Sequence, residues 1–138
     1  RTNMFATVFL AALDPMTGHF DYVNAGHEPA LVLAPDGATR ELRPTGPALG
    51  LLPDQAFGAG EGKLERAHCL FAFTDGLVEA RNPAGEAFGS ERLRDALRAN
   101  DSSASDLVRG VLAALQAFTG QAEPHDDITI LAATRTSG

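Results

Sequence analysis

Leu70-Phe71-Ala72-Phe73-Thr74-Asp75-Gly76 runs four largely apolar residues straight into Thr-Asp-Gly. The short apolar run, rich in aromatics and closed by a turn signal, predicts a buried strand that ends by presenting one carboxylate. Cys69, just before it, is expected to be a buried, inert thiol. A second stretch reverses the order. In Glu123-Pro124-His125-Asp126-Asp127-Ile128-Thr129-Ile130 the acids come just before a strand. Asp-Gly alone is a turn signal, and two adjacent acids are by default solvated. Together, each stretch sets a short carboxylate beside a rigid apolar strand. The two strand ends are expected to meet and help hold metal ions.

Between and around these anchors the chain has the size of one domain, with 138 residues, 44% apolar and 21% charged. Eighteen acids against 11 bases give a formal charge of -7, which argues against nonspecific nucleic-acid or anionic-membrane binding, since both need a basic face. No apolar run reaches the roughly 20 residues that span a bilayer. Arg1-Thr2-Asn3-Met4 does not resemble a signal peptide. The single cysteine excludes an internal disulfide framework and suits a reducing, cytoplasmic compartment.

From the start, Met4 to Leu13 reads as a strand with almost no lead-in, so that either the domain starts abruptly or the chain is the later part of a longer one. Asp14-Pro15-Met16-Thr17-Gly18 is a turn, and His19 to Asn24 returns as the second strand of a hairpin. Asn24-Ala25-Gly26-His27-Glu28-Pro29 breaks that strand. Its His27 is either a hydrogen-bonded turn residue or lies behind the first ligands of a site. Short strands follow at Ala30 to Ala34 and Thr39 to Leu42. Arg43 to Pro53 is too rich in Pro and Gly for a helix or central strand; a surface loop packing Leu49, Leu51 and Leu52 is expected. Phe57 to Leu64 is a weak strand, and its glycines lack the context of a phosphate loop.

Leu77 to Arg81 suggests one short helical turn. Ser90 looks like the N-cap of a helix from Glu91 to Ala99, stopped by Asn100-Asp101-Ser102. Ser103 with Asp106 resembles a capping box for a longer helix. Its stripe of Leu107, Val111, Leu115 and Phe118 faces a core, and Gly120 ends it. Ile128 to Ala133 is a last strand, and Thr134 to Gly138 a frayed tail. Many strands, then helices, then one strand predict an α+β fold with a mostly antiparallel sheet, not alternating βαβ units. Residues 1–138 read as a single domain.

Carboxylate oxygens suit hard cations, Mg²⁺ or Mn²⁺. Such metals activate water and neutralise charge during phosphoryl displacement. Zinc is disfavoured, because the four histidines are scattered, without paired spacing or a second cysteine. No nucleophile elbow or Cys/His pair is evident.

Five motifs occur in order: Met4-Phe5-Ala6-Thr7-Val8 with Asp14 and Thr17-Gly18; Asn24-Ala25-Gly26-His27-Glu28-Pro29; Phe73-Thr74-Asp75-Gly76-Leu77-Val78-Glu79-Ala80-Arg81-Asn82; Gly85, Phe88-Gly89 and Arg92-Leu93; and Asp126-Asp127-Ile128-Thr129. Over nearly its whole length the chain resembles the C-terminal part of the SpoIIE-type serine/threonine phosphatases, a bacterial branch of the protein phosphatase 2C-like (PPM) superfamily. The resemblance implies an antiparallel β-sandwich flanked by helices and a two-metal Mn²⁺/Mg²⁺ site. It implies hydrolysis of phosphoserine or phosphothreonine on a protein, often an anti-sigma-factor antagonist, and often a sensor domain upstream. By motif position Asp75 and Asp126 would be metal ligands. Asp127 would be less suited, standing where relatives outside this branch often have Asn. Asn24 and His27 match a motif without an assigned catalytic role.

The family's earlier acidic motifs, of Gly-Gly-Asp-x-x-Asp and Asp-x-x-Gly-His-Gly type, do not occur in this chain and would precede residue 1. The sandwich is therefore expected to lack its N-terminal part, and residues 1–138 alone to bind metal poorly and hydrolyse little. Hydrophobic edges left open would drive dimer or swapped pairing. The alternative function is a catalytically incomplete PPM-like module that binds a regulatory partner.

Overall fold

A computed structural model describes residues 4–100, 103–124 and 126–136. Seven strands and three helices follow in the order β1 (Val8–Leu13), β2 (His19–Ala25), β3 (Ala30–Leu33), β4 (Thr39–Leu42), β5 (Gly60–Lys63), β6 (Cys69–Phe73), α1 (Asp75–Glu79), α2 (Gly89–Arg98), α3 (Ala104–Thr119) and β7 (Ile130–Thr134). One sheet has the order β1-β2-β5 and the other β4-β3-β6-β7. Every strand pairing in both is antiparallel. The sandwich flanked by helices is the expected architecture.

The second sheet is the middle layer, and its sequence explains why. Side chains alternate across a strand, so a strand buried on both faces must be apolar throughout. β3 is buried at all four positions. Val32 and Leu70 face the first sheet, packing with Phe20, Leu42 and Leu64. Leu31, Leu33, Cys69, Phe71 and Phe73 face the helices, packing with Leu93, Leu97, Leu107, Val111 and Leu115. Cys69 is wholly buried, and burial pushes its thiol up, away from the reactive thiolate.

The helix ends are set locally. The Ser103 hydroxyl accepts from the Asp106 backbone N–H, and Gly120 closes α3 with φ 55°, as the capping reading anticipates. Ser90 is not a cap. The chain turns into α2 at Gly89, whose φ of 79° suits glycine, and Ser90 already lies inside the helix. The proposed stop at Asp101-Ser102 lies outside the described residues. In the 43–53 loop, Leu51 and Leu52 are more than half exposed, and Ala48 is the residue that buries.

Five strands differ from expectation, β2 among them, which runs to Ala25 rather than Asn24. β1 begins at Val8 rather than Met4, and β3 ends at Leu33 rather than Ala34. β5 is confined to Gly60–Lys63, and β7 runs from Ile130 to Thr134. Strand pairing sets these limits; beyond β1, Ala6 pairs only through an isolated bridge to Leu49.

β1 and β7 are sheet edges, one in each layer. A groove of about 530 Å³ lies between them, lined by Phe9, Leu10, Leu70, Phe73, Thr129 and Leu131 among others. Leu10 is 64% exposed and Leu131 56%, so both edges present apolar surface. Among the described residues, no helix is long and apolar enough to cross a membrane.

Candidate metal centre

The two carboxylate-bearing stretches meet. Thr74 follows β6 directly and is the N-cap of α1. Its backbone N–H donates to the Thr129 carbonyl at 3.1 Å. Its hydroxyl oxygen accepts from the Thr129 N–H at 3.0 Å. A Cβ at Gly76 would stand 2.2 Å from the Asp127 carbonyl oxygen, so only glycine permits this approach. The Asp75-Gly76 step is thus both the first turn of α1 and the packing surface for the segment carrying Asp126 and Asp127. Gly76→Ala is expected to push the two stretches apart and destabilise the chain by about 1–3 kcal/mol, as overpacking does. Urea unfolding would measure it, and an unchanged midpoint would refute the close approach.

Asp75 opens α1 and is exposed; an acid in a helix's first turn is favourably placed. Glu79 is four residues on, which puts both carboxylates on one helix face. Asp126 is also exposed, and its carboxylate accepts from the Asp127 N–H at 2.8 Å. It borders a cavity of about 260 Å³ together with Gly76, Glu79, Arg81, Leu115 and Ile128. His125, between the acids and Pro124, lies outside the described residues.

Glu28 joins this acidic region, which the sequence reading missed. Burial pushes its carboxyl above the ordinary glutamate range, and the charges of Asp75 and Glu79 push the same way; His27 pulls it down. Two signals were available: the i,i+4 spacing of Asp75 and Glu79, and an acid inside the broken turn Gly26-His27-Glu28-Pro29. That turn is held by Asn24, the wholly buried polar residue. The Asn24 side-chain oxygen accepts from the His27 N–H at 2.8 Å, and its amide donates to the Leu42 carbonyl at 3.0 Å. The His27 ring Nδ1 lies 2.9 Å from the Glu28 carbonyl oxygen. Asn24→Ala would strand both backbone partners, at a cost of about 1–3 kcal/mol. Thermal unfolding would test this, and a variant as stable as the parent would assign the turn another anchor.

Asp75 in the first turn of α1 and Asp126 in the segment before β7 offer oxygen donors, which suit Mg²⁺ or Mn²⁺. Among the described residues they belong to no set of three mutually close metal-ligating side chains. The remaining ligands of an octahedral ion must therefore be water or other groups.

The family described as Stage II sporulation protein E (SpoIIE) matches residues 1–136. The chain belongs to the SpoIIE family. Protein IcfG of Synechocystis sp. is 36% identical over 132 residues, covering 96% of this chain and 21% of its own length. Phosphoserine phosphatase RsbP of Bacillus subtilis is 30% identical over 112 residues, covering 81% of this chain and 26% of its own length. In three dimensions the chain is similar to the RsbU and RsbW domains of Rv1364c from Mycobacterium tuberculosis, with TM-score 0.77 and 25% identity over 94% of this chain and 37% of that one. This SpoIIE-family chain therefore spans about a fifth to a quarter of the curated relatives it matches. Of these relatives RsbP is named a phosphoserine phosphatase, and the two antiparallel sheets with helices are the fold of solved PP2C-type and SpoIIE phosphatase domains.

Proposed function

We propose that this chain is the C-terminal part of a SpoIIE-type phosphatase domain that hydrolyses phosphoserine or phosphothreonine on a regulatory protein of the anti-sigma-factor-antagonist type. The observation that supports this most is the meeting of Thr74-Asp75-Gly76 with Asp127-Ile128-Thr129 through paired hydrogen bonds. Asp75 and Asp126 would hold Mn²⁺ or Mg²⁺, which supplies an activated water and charge neutralisation at the phosphoryl group. The chain's own contribution is positional. The ladder between β6 and β7 fixes two strand ends, and Gly76 lets them close. The acids around Glu28 raise the local negative field and so favour cation capture. A reducing, cytoplasmic setting suits the lone thiol. A sensor domain upstream and pairing of open sheet edges with a second copy belong to the same proposal.

The absence of a third close ligand among the described residues favours a second reading, a non-catalytic partner-binding module. Phosphate release from a phosphoserine peptide decides between them. The complete protein is expected to release phosphate with Mn²⁺, to lose that activity with a chelator and to regain it on Mn²⁺ addition. Residues 1–138 alone are expected to bind Mn²⁺ weakly and release little phosphate. Inactivity of the complete protein with either metal would establish the binding module instead.

A further inference from the structure

The outer face of the three-stranded sheet brings together groups that the phosphatase reading does not use. His19 and Asp21 lie two apart on β2, so both point to one face. Glu61 on β5 stands directly opposite Asp21 in the antiparallel register. One ligand atom from each of the three lies within 4.8 Å of the other two. His19 Nε2 is 3.3 Å from the Asp21 carboxylate.

The register that aligns them is locked from the opposite face. Gly60 and Gly62 flank Glu61, and the rings of Tyr22 and Phe20 cover them. A Cβ at either glycine would come within 2.3 Å of a ring carbon. β5 can therefore neither slide nor carry larger residues there, and Glu61 is held against Asp21. Like charges opposed across a ladder repel; His19 offsets Asp21 only when protonated, and the other nearby cations are engaged elsewhere. Lys63 is opposite His19, but its ammonium pairs with Glu65 at 3.7 Å. The Arg40 guanidinium donates to the backbone carbonyl of Glu61 at 3.2 Å. Among the described residues the Glu61 carboxylate has no ion pair.

We propose that His19, Asp21 and Glu61 form a surface site for a divalent transition metal, Zn²⁺ or Co²⁺. One imidazole nitrogen and two carboxylates give three protein ligands, and the exposure of all three leaves the fourth position to water. The nitrogen donor separates this site from the oxygen-only pair Asp75 and Asp126, and disfavours Mg²⁺ and Ca²⁺. A bound ion would bridge β2 to the edge strand β5 and remove the repulsion between Asp21 and Glu61.

Titration with Zn²⁺ by calorimetry, and with Co²⁺ by visible absorption, tests the site. One Zn²⁺ is expected to bind, and Co²⁺ to develop ligand-field bands that disappear on Zn²⁺ addition. His19→Ala, Asp21→Asn and Glu61→Gln should each weaken Zn²⁺ binding by roughly tenfold or more, with unchanged far-ultraviolet circular dichroism. Glu91→Gln, exposed on α2 and outside both sites, should leave that affinity as it is. Unchanged affinity in the His19 and Glu61 variants would place the ion elsewhere and overturn the proposal. Failure of the parent chain to bind Zn²⁺ would also overturn it, leaving only an exposed His19–Asp21 ion pair.

Discussion

Asp75→Asn in the complete protein is expected to lower Mn²⁺-dependent phosphate release by roughly two orders of magnitude or more, with little change in stability. Asparagine keeps the size of the side chain and removes the charge that a hard cation needs. Asp75 is exposed, so the folded chain loses only a favourable charge at the start of a short helix, worth less than about 1 kcal/mol. Asp126→Asn should behave in the same way, because its carboxylate lies on the segment packed against Gly76. The double variant should be little worse than either single one, since residues that serve one metal centre act as a unit. The measurements are steady-state phosphate release over a range of Mn²⁺ and chemical denaturation of the same samples. Retention of full activity by either variant at saturating metal would remove that residue from the site.

Phe71→Ala is expected to have the largest effect on stability, about 3–5 kcal/mol. Phe71 is wholly buried, and its ring centroid lies 6.0 Å from that of Phe73. It sits on the central strand pair of the middle sheet, facing α2 and α3. Deleting the ring leaves a cavity among Leu93, Leu107 and Val111 that a strand hydrogen-bonded on both sides cannot close. Domains of this kind are stable by only about 5–15 kcal/mol, so the variant would lose a large share of the total. Urea unfolding should show a lower midpoint at unchanged slope. Leu131→Ala, at an edge position more than half exposed, is the comparison and should cost far less. Equal costs for the two would contradict the layer order.

Much of this was legible in the sequence because it rests on local rules. Leu70 to Phe73 was legible as a buried strand, since a short aromatic-rich apolar run closed by Thr-Asp-Gly matches a strand in length and flanking residues. The stripe on α3 and its caps follow from helical periodicity and from the groups that unpaired backbone amides require. The acid positions were visible as Asp75 after one strand and Asp126 before another. Glu28 was not, because its exposure to the charges of Asp75 and Glu79 depends on tertiary proximity of residues far apart in sequence. Ser90 was misassigned as a cap because the strong signal of a hydroxyl before a periodic run outweighed the glycine beside it, whose positive φ turns the chain.

Short-range periodicity carried the mostly antiparallel α+β pattern and the two strand ends that present carboxylates, while the family and its sandwich came through the resemblance of five ordered motifs to the SpoIIE-type phosphatases. Only the tertiary structure decided which residues meet. The backbone of Gly76 rests on Asp127 because nothing larger than a hydrogen fits there. Glu61 faces Asp21 because two aromatic rings over two glycines fix the register of β5. Scattered histidines had argued against zinc, and their spacing in the chain is indeed uninformative. A nitrogen donor and two carboxylates became neighbours through strand pairing, which brings together residues that sequence distance keeps apart.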